Sequence, residues 1–365
     1  MDNVPLMFSR RRTNAVRCGS AVIGGGSPIS VQTMTKTDTR DVDATVSEIR
    51  RAVEAGADIV RVAVPDAQAA EAFGEIRKRV RCPLVADIHF DYRLAIECLR
   101  KGADKVRVNP GNIGGMDKLL LVADEARRQG AAIRVGVNSG SLEKEILEKH
   151  GGPTPQAIVE SACRSLAALE DRGFGNIVIS LKSSSVKDTV SSYALMASRT
   201  AWPMHVGVTE AGPGLAGVVK STAGISVLLA MGIGDTIRVS LTGSPVEEVE
   251  VGRQILQAVG AAAYGPDLIS CPTCGRTQVD LVPVAQEVAR RLKEFDAPMK
   301  VAVMGCPVNG PGEAREADVG VACGREGGII FAHGQVVGRV PKERLVDALI
   351  DLVAAEARAR RGSGS

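Results

Sequence analysis

Short runs rich in β-branched residues alternate with longer amphipathic stretches along the first 260 residues of the chain. The short runs lie at 30–35, 58–64, 83–90, 104–110, 132–138, 176–184, 204–210 and 235–241. The stretches between them carry apolar residues at helical spacing, and many end in glycine, as helix C-termini often do. Eight strand–helix units in succession predict a (β/α)8 TIM barrel, because open doubly wound sheets usually stop at about five or six strands.

The pattern changes after residue 264, where the sequence reads YGPD. The remaining residues predict a helix, a strand, a loop, a second strand, a hairpin and a final helix. We therefore predict two domains, a TIM barrel over residues 1–264 and a small α+β domain over residues 265–365 that ends in a flexible tail.

The composition narrows the class of protein. Apolar residues make up 45% of the chain and charged residues 24%, which is typical of a globular protein with a large core. A net charge of +3 and an aromatic content of 3% argue against a nucleic-acid partner. The sequence contains neither a signal peptide nor an apolar run of membrane-spanning length, so we expect a cytoplasmic protein. Eight cysteines in that reducing compartment are expected to be free, catalytic or metal-bound.

Polar residues collect where the predicted strands end, and the active sites of TIM barrels lie at the C-terminal ends of their strands. These residues are Asp87, His89, Asn109, Asn138, Lys182, Glu210, Ser240 and Thr242. We expect them to surround the mouth of the barrel.

Four of the eight strands carry an arginine between apolar neighbours, and these are Arg61, Arg107, Arg134 and Arg238. Because successive side chains of a strand point to opposite faces, the arginines are predicted to face the lumen together with Lys182. A single buried arginine would be read as a structural residue neutralised by an internal carboxylate. The acids identifiable near the lumen are Asp87 and Glu210, too few for these five cations. Since the planar guanidinium group suits phosphate oxygens, the pattern predicts a compact phosphate or diphosphate ligand.

Two loops of the second domain begin with Cys-Pro, one containing Cys271 and Cys274 and the other starting at Cys306. A C-x2-C pair alone is compatible with a redox dithiol, but the βαβ setting of such dithiols is missing here. Together with Cys306 the pair predicts a three-cysteine metal site whose fourth ligand decides its nature. Cys323 as that ligand would give a structural zinc site, whereas a carboxylate or an open position favours an iron-sulfur cluster.

Nine segments, in order along nearly the whole chain, resemble the bacterial 4-hydroxy-3-methylbut-2-en-1-yl diphosphate synthase family of the methylerythritol phosphate pathway. The segments are VQTMTKTDT, ADIHF, VRVNPGNIG, RVGVNSGSLE, SLKSS, HVGVTEAG, RVSLTG, SCPTCGRT and MGCPVNGPGEA. The resemblance implies a barrel that binds a cyclic diphosphate and a reductase-like C-terminal domain that holds a [4Fe-4S] cluster. By the same resemblance, the cluster ligands are Cys271, Cys274, Cys306 and Glu313.

The resemblance implies that the protein is an oxidoreductase of isoprenoid biosynthesis. Two electrons, from flavodoxin or ferredoxin, open the ring of 2-C-methyl-D-erythritol 2,4-cyclodiphosphate and remove water. Glu313 is expected to be a replaceable ligand that frees one iron for the substrate, and Glu210 and Asp87 are candidates for proton transfer or orientation. The expected substrate-binding residues are Arg61, Arg107, Asn109, Arg134, Asn138, Lys182, Arg238, Ser240 and His89. The resemblance also implies a head-to-tail homodimer.

Two other hypotheses fit the same residues. One is an enzyme like dihydropteroate synthase, with a barrel that acts on a pterin diphosphate and an appended structural zinc ribbon. The other is a zinc-ribbon binding module whose barrel is only a scaffold. Metal content distinguishes both from an iron-sulfur enzyme, since zinc proteins are colourless and iron-sulfur proteins are brown.

Overall fold

The computed structural model of the protein describes residues 9–306 and 316–362. The chain divides into two compact units, Met1–Ala262 and Ala263–Ser365. The sequence placed the boundary between residues 264 and 265, at the YGPD segment. The proline and aspartate of that segment already belong to a strand of the second unit, Pro266–Ser270.

Eight parallel strands form the barrel of the first unit. They are β3 (Ser30–Met34), β4 (Ile59–Ala63), β5 (Leu84–Asp87), β6 (Lys105–Val108), β7 (Ala132–Asn138), β8 (Ile177–Lys182), β9 (His205–Val206) and β10 (Thr236–Ile237). From β3 to β8 each strand pairs with the next in the chain, β9 pairs with β10, and β10 pairs with β3. A bridge between Ile179 and Met204 joins β8 to the segment before β9. The predicted TIM barrel is confirmed.

Helices surround this sheet. They are α1 (Val42–Glu54), α2 (Ala67–Arg79), α3 (Tyr92–Arg100), α4 (Met116–Gln129), α5 (Lys144–His150), α6 (Pro155–Asp171), α7 (Val186–Ala197), α8 (Gly214–Ala230) and α9 (Pro245–Ala258). Asp41, Asp66 and Asp91 cap the first three helices, because each carboxylate accepts a hydrogen bond from a main-chain N–H of the first turn. These caps fix the turns that follow the strands, on the side where the polar residues collect.

A short hairpin covers the opposite end of the barrel. Its strands are β1 (Val16–Cys18) and β2 (Ala21–Ile23), which pair antiparallel. Val16, Cys18 and Ile23 are fully buried and pack in one cluster with Ile59 and Val178 of the barrel strands. Sequence analysis did not identify this hairpin, which closes the N-terminal end of the lumen with apolar side chains.

The last two barrel strands are shorter than the sequence predicted. The β-branched runs at 204–210 and 235–241 form strands only over His205–Val206 and Thr236–Ile237. Arg238, predicted inside a strand, therefore follows the last residue of β10. Its main-chain N–H still donates to Val206 O at 3.0 Å, so pairing with β9 reaches this residue.

The second unit is a five-stranded sheet with helices. The strands are β11 (Pro266–Ser270), β12 (Met299–Met304), β13 (Val319–Gly324), β14 (Gly327–Ala332) and β15 (Gln335–Pro341), with β11 to β13 parallel and the last three antiparallel. Helices α10 (Leu281–Leu292) and α11 (Leu345–Gly362) contribute to one apolar cluster with this sheet. Within residues 9–306 and 316–362, no helix has both the length and the apolar character needed to cross a bilayer.

Candidate active site

A cavity of about 250 Å³ opens at the C-terminal ends of the barrel strands. Seven of the eight strands, or the residues directly after them, contribute side chains to its wall. The lining residues are Met34, Arg61, Asp87, His89, Arg107, Arg134, Asn138, Ser180, Lys182, Thr209, Arg238 and Ser240. Four arginines and a lysine thus surround a space in which Asp87 is the lining carboxylate.

Asp87 links two of these arginines. Its Oδ2 lies 3.7 Å from Arg61 Nε and its Oδ1 lies 3.4 Å from Arg107 Nη1, while His89 Nε2 lies 3.5 Å from Oδ2. Burial opposes ionisation of this carboxyl, but Arg61, His89 and Arg107 together hold its pKa well below the ordinary value. Asp87 is therefore a permanent anion that orients guanidinium groups, which argues against a role as proton donor.

Arg134 and Lys182 form no ion pair within the described residues. Arg134 is 1% exposed, and its Nε and Nη1 have no hydrogen-bond partner there. Burial lowers the pKa of Arg134 well below its usual range, and Arg61 and Arg107 lower it further. Burial, followed by repulsion from Arg134 and Arg238, also lowers the pKa of Lys182. Cations crowded in this way bind an anion strongly, because it relieves both their repulsion and their missing hydrogen bonds.

Two glycines make room for these long side chains. A Cβ at Gly136 would lie 2.8 Å from Arg107 Nε, and one at Gly207 would lie 2.3 Å from the main-chain oxygen of Arg238 and 3.3 Å from Lys182 Nζ. Gly136 lies on β7 and Gly207 directly follows β9, and neighbouring strands carry the bulky cations. Small residues at these two positions therefore let the cations converge on the cavity.

Two predicted site residues lie outside the cavity wall. Asn109 follows β6, but its Nδ2 donates to Ser141 Oγ at 2.6 Å and its Oδ1 accepts from the Gly111 main chain at 3.2 Å. Its side chain therefore braces the mouth loops, and its predicted contact with substrate stays a prediction. Glu210 is exposed and has a left-handed backbone with φ of 52°, so its proposed role in proton transfer stays a prediction.

The cavity also contains residues that sequence analysis missed. Met34, Ser180 and Thr209 line it, and Arg61 Nη2 lies 2.9 Å from Met34 Sδ. Ser180 lies two positions before Lys182 on β8, so the alternation of strand side chains could have identified it. Outside the wall, Glu248 of α9 approaches Arg238 Nη2 at 3.4 Å. No strand pattern could reveal that acid, because it comes from the helix layer.

The cysteine loops of the second unit follow neighbouring parallel strands. Cys271 comes directly after β11, Cys306 lies two residues beyond β12, and Ser270 of the first strand is in register with Val303 of the second. Parallel strands bring both loops to the same edge of the sheet. Cys274 raises the pKa of the Arg276 guanidinium most, and Cys306 and Cys271 raise it further, as expected when all three thiols lie near it.

These thiols are free, and their chemistry suits a cluster of metal ions. A tetrahedral zinc would bring its sulfur ligands to about 3.8 Å from one another. Among the described histidines, cysteines and acids, the group of three or more residues whose ligand atoms all lie within 4.8 Å of one another is Asp318, His333 and Glu356. The sulfurs of Cys271, Cys274 and Cys306 therefore do not all lie within 4.8 Å of one another.

The fourth ligand decides between the two metal hypotheses. Cys323 lies on β13 inside the apolar cluster formed with α10 and α11, is fully buried, and has a pKa raised to about 11 by that burial. Its sulfur lies among apolar side chains, whereas the other three thiols follow strand ends in loops. Glu313, the ligand implied by the resemblance, lies outside the described residues.

The chain matches two family models. The model described as the GcpE TIM-barrel domain matches residues 13–253, and the model described as the GcpE protein C-terminal domain matches residues 267–355. The chain belongs to the GcpE family. The GcpE match covers both units, and it confirms the family predicted from the nine segments.

Curated relatives of this GcpE chain carry a common name. A protein from Caldanaerobacter subterraneus subsp. tengcongensis is 55% identical over 341 residues, covering 93% of this chain and 96% of the relative. One from Symbiobacterium thermophilum is 53% identical over 358 residues, covering 98% and 97%. Both are named 4-hydroxy-3-methylbut-2-en-1-yl diphosphate synthase (flavodoxin).

Two solved structures are similar to the GcpE chain over about two thirds of its length. Dihydropteroate synthase from Stenotrophomonas maltophilia has a TM-score of 0.50 at 15% identity, and type I 3-dehydroquinate dehydratase from Clostridium difficile has 0.50 at 14%. Each match covers 68% of this chain and 99% of the solved chain. At this identity the likeness shows the fold alone, so it gives no support to the dihydropteroate synthase hypothesis for function.

Proposed function

We propose that this chain is a 4-hydroxy-3-methylbut-2-en-1-yl diphosphate synthase that acts on 2-C-methyl-D-erythritol 2,4-cyclodiphosphate. The observation that carries the proposal is the convergence of four arginines and a lysine on one cavity at the strand ends. A compact diphosphate supplies the negative charge that Asp87 leaves uncompensated there. The names of the curated relatives agree with this substrate class.

Different residues of the cavity bind different parts of the substrate. Arg61, Arg107, Arg134, Lys182 and Arg238 hold the diphosphate and stabilise charge that develops on it as the ring opens. Asn138, Thr209 and Ser240 carry hydroxyl and amide groups suited to the oxygen atoms of the substrate carbon skeleton. Asp87 keeps two of the arginines in place through its hydrogen-bonded carboxylate.

The second unit holds the redox group in this proposal. Cys271, Cys274 and Cys306 suit a [4Fe-4S] cluster, and Glu313 completes the set by the family resemblance. When bound, such a cluster supplies the two electrons of the reaction one at a time. The main-chain N–H of Cys274 donates to Thr277 Oγ1 at 2.9 Å, which fixes the loop that carries two of the thiolates.

Metal analysis and turnover test this function together. Protein purified without oxygen is expected to be brown, with about four irons and four sulfides per chain and little zinc. It is expected to convert the cyclic diphosphate with reduced flavodoxin, the donor in the names of the relatives, and ferredoxin is the alternative donor to compare. Colourless zinc protein that forms dihydropteroate would overturn the proposal.

We further propose that the working unit is a head-to-tail homodimer, in which one chain's barrel works with the cluster domain of its partner. Helix α8 presents an apolar face, with Leu215 80% exposed and Val219, Val227 and Met231 also exposed. These residues recur at helical spacing along one side of the helix. An apolar stripe of this length on a soluble protein is typical of a subunit interface.

The chain path between the two units supports sites formed in trans. Ala261 and Ala262 donate main-chain hydrogen bonds to Leu256 O, so the residues after α9 stay coiled on the end of that helix. Only residues 263–265 remain to extend, and they span about 10 Å. Helix α9 alone is about 21 Å long, so three extended residues are shorter than the helix that leads back from the strand ends.

Subunit mixing tests this arrangement. An Arg134→Met chain and a Cys306→Ala chain are each expected to be inactive, and their mixture is expected to recover activity after subunit exchange. In a mixed dimer with sites in trans, one site combines an intact barrel with an intact cluster domain. With sites in cis, every site keeps one defect. A mixture of differently tagged chains that demonstrably exchanges but stays inactive would contradict the trans arrangement.

A further inference from the structure

A buried carboxylate of the helix layer reaches the wall of the cavity. Glu248 lies in the first turn of α9 and is 1% exposed. Its Oε1 accepts a hydrogen bond from the Leu241 main-chain N–H at 3.1 Å and lies 3.1 Å from Lys36 Nζ, while its Oε2 accepts from Thr33 Oγ1 at 2.9 Å. Both oxygens lie 3.4 Å from Arg238 Nη2. Glu248 therefore joins the ends of the first and last barrel strands at the cavity.

Lys36 and Arg238, the two cations that contact Glu248, differ in whether any of their N–H groups remain available to a ligand. Lys36 Nζ also donates to Leu241 O at 2.7 Å and to Gly243 O, so its three N–H groups are all used by the protein. Arg238 keeps Nε without a partner among the described residues, and its side chain lines the cavity. Lys36 is thus a fixed strut, and Arg238 is the cation that Glu248 leaves able to bind a ligand.

We propose that Glu248 is a positioning residue for the cavity: by holding Nη2 of Arg238, it directs the remaining guanidinium donors toward the diphosphate. The inference rests on the proposed function, because it assumes that Arg238 binds this anion. The contact counteracts a repulsion inside the cavity. Arg61 repels Arg238, so without a carboxylate behind it the guanidinium would turn away from the other cavity cations.

A nearby carboxylate provides a matched control. Glu48 of α1 is also buried, and its Oε2 accepts from the main-chain N–H groups of Lys36 at 2.7 Å and Thr37 at 3.2 Å. It braces the same loop as Glu248 but touches none of the cavity cations. Glu48→Gln therefore measures the effect of loosening this loop alone.

A double-mutant cycle tests the inference, with binding of the cyclic diphosphate measured by calorimetry on the full chain without oxygen. Glu248→Gln is expected to weaken binding about tenfold and Arg238→Met about 30-fold, as expected for the loss of charge-assisted hydrogen bonds. The double variant is expected to bind like Arg238→Met alone, because Glu248 acts only through Arg238. Glu48→Gln is expected to change affinity less than about twofold.

Each outcome decides a separate point. Losses that multiply in the double variant, or no loss from Glu248→Gln, would overturn the positioning role. Unchanged affinity in Arg238→Met would instead remove Arg238 from the proposed binding site, so the two failures are distinguishable. Circular dichroism and melting temperature monitor folding. Should Glu248→Gln not fold, the cycle is repeated with Glu248→Asp, which keeps the charge but retracts it from Arg238, and the same non-additivity is required.

Discussion

Replacing Arg134 by methionine is expected to weaken binding of the cyclic diphosphate by about 100-fold or more, because at least two charge-assisted hydrogen bonds are lost from a buried site. Arg134 is the most deeply buried of the four cavity arginines, and its Nε and Nη1 have no protein partner among the described residues. Methionine fills similar space without charge or donors. Calorimetry with the cyclic diphosphate measures the loss.

The same change is expected to raise the melting temperature of the ligand-free protein by a few degrees. Arg61 and Arg107 repel Arg134 in the folded state, and burial removes its hydration. A buried charge without a partner costs stability, and an apolar residue of similar volume removes that cost. Function and stability thus oppose each other at this residue, as they often do in binding sites.

Two control variants distinguish the specific contact made by Arg134 from the effect of the net charge of the barrel. Arg100→Met removes an exposed arginine of α3 that pairs with Glu125, and it is expected to leave affinity unchanged. Lys105→Met removes a fully buried cation of β6 that does not line the cavity. If Lys105→Met weakened binding as much as Arg134→Met, the net charge of the barrel would hold the anion, and the specific contact of Arg134 would be refuted.

The barrel and its cations were predictable from the sequence because both depend on short-range periodicity. Arg107 and Arg134 are register partners on β6 and β7, and each lies between apolar residues that pack outward. Strand alternation alone places such residues in the lumen. Because this alternation holds in most of the strands, nearly all predicted cavity residues do line the cavity.

What the sequence missed depends on contacts between distant segments. Glu248 looks like an ordinary acid in the first turn of a helix, and only the packing of α9 against β3 and β10 brings it to Arg238. Asn109 directly follows β6, yet its amide donates to Ser141 in the turn after β7 and does not line the cavity. The hairpin β1–β2 is six residues long in its strands, too short for a periodic pattern.

The cysteines pose the opposite problem, since their spacing identified a metal site without identifying the metal. From the sequence alone, Cys323 was as good a candidate for the fourth ligand as a carboxylate. Ala322 of β13 is in register with Met304 of β12, and both side chains belong to the apolar cluster on one face of the sheet. Because successive side chains of a strand alternate, Cys323 lies on the other face, which packs against the helices. That side is apolar, and Cys323 packs there in one cluster with side chains of α10 and α11.

Replacing Cys306 by alanine is expected to remove nearly all iron and sulfide from the purified protein, whereas Glu313→Ala is expected to keep them. Each thiolate is a principal anchor of a [4Fe-4S] cluster, while a carboxylate is a harder and more replaceable ligand. Cys306 is 4% exposed, so water cannot readily take the place of its sulfur. Iron and sulfide analysis measures the difference, and the paramagnetic spectrum of the reduced Glu313→Ala protein is expected to change.

Cys323→Ala is the matched control, because it removes an equally buried thiol from the neighbouring strand. It is expected to retain its iron and sulfide and to lose only some stability through the missing sulfur in the apolar cluster. Cluster loss in this control equal to that in Cys306→Ala would show that packing, not ligation, governs assembly. Equal loss in Glu313→Ala and Cys306→Ala would refute the distinction between a replaceable carboxylate and an anchoring thiolate, and an unchanged cluster in Cys306→Ala would remove that residue from the ligand set.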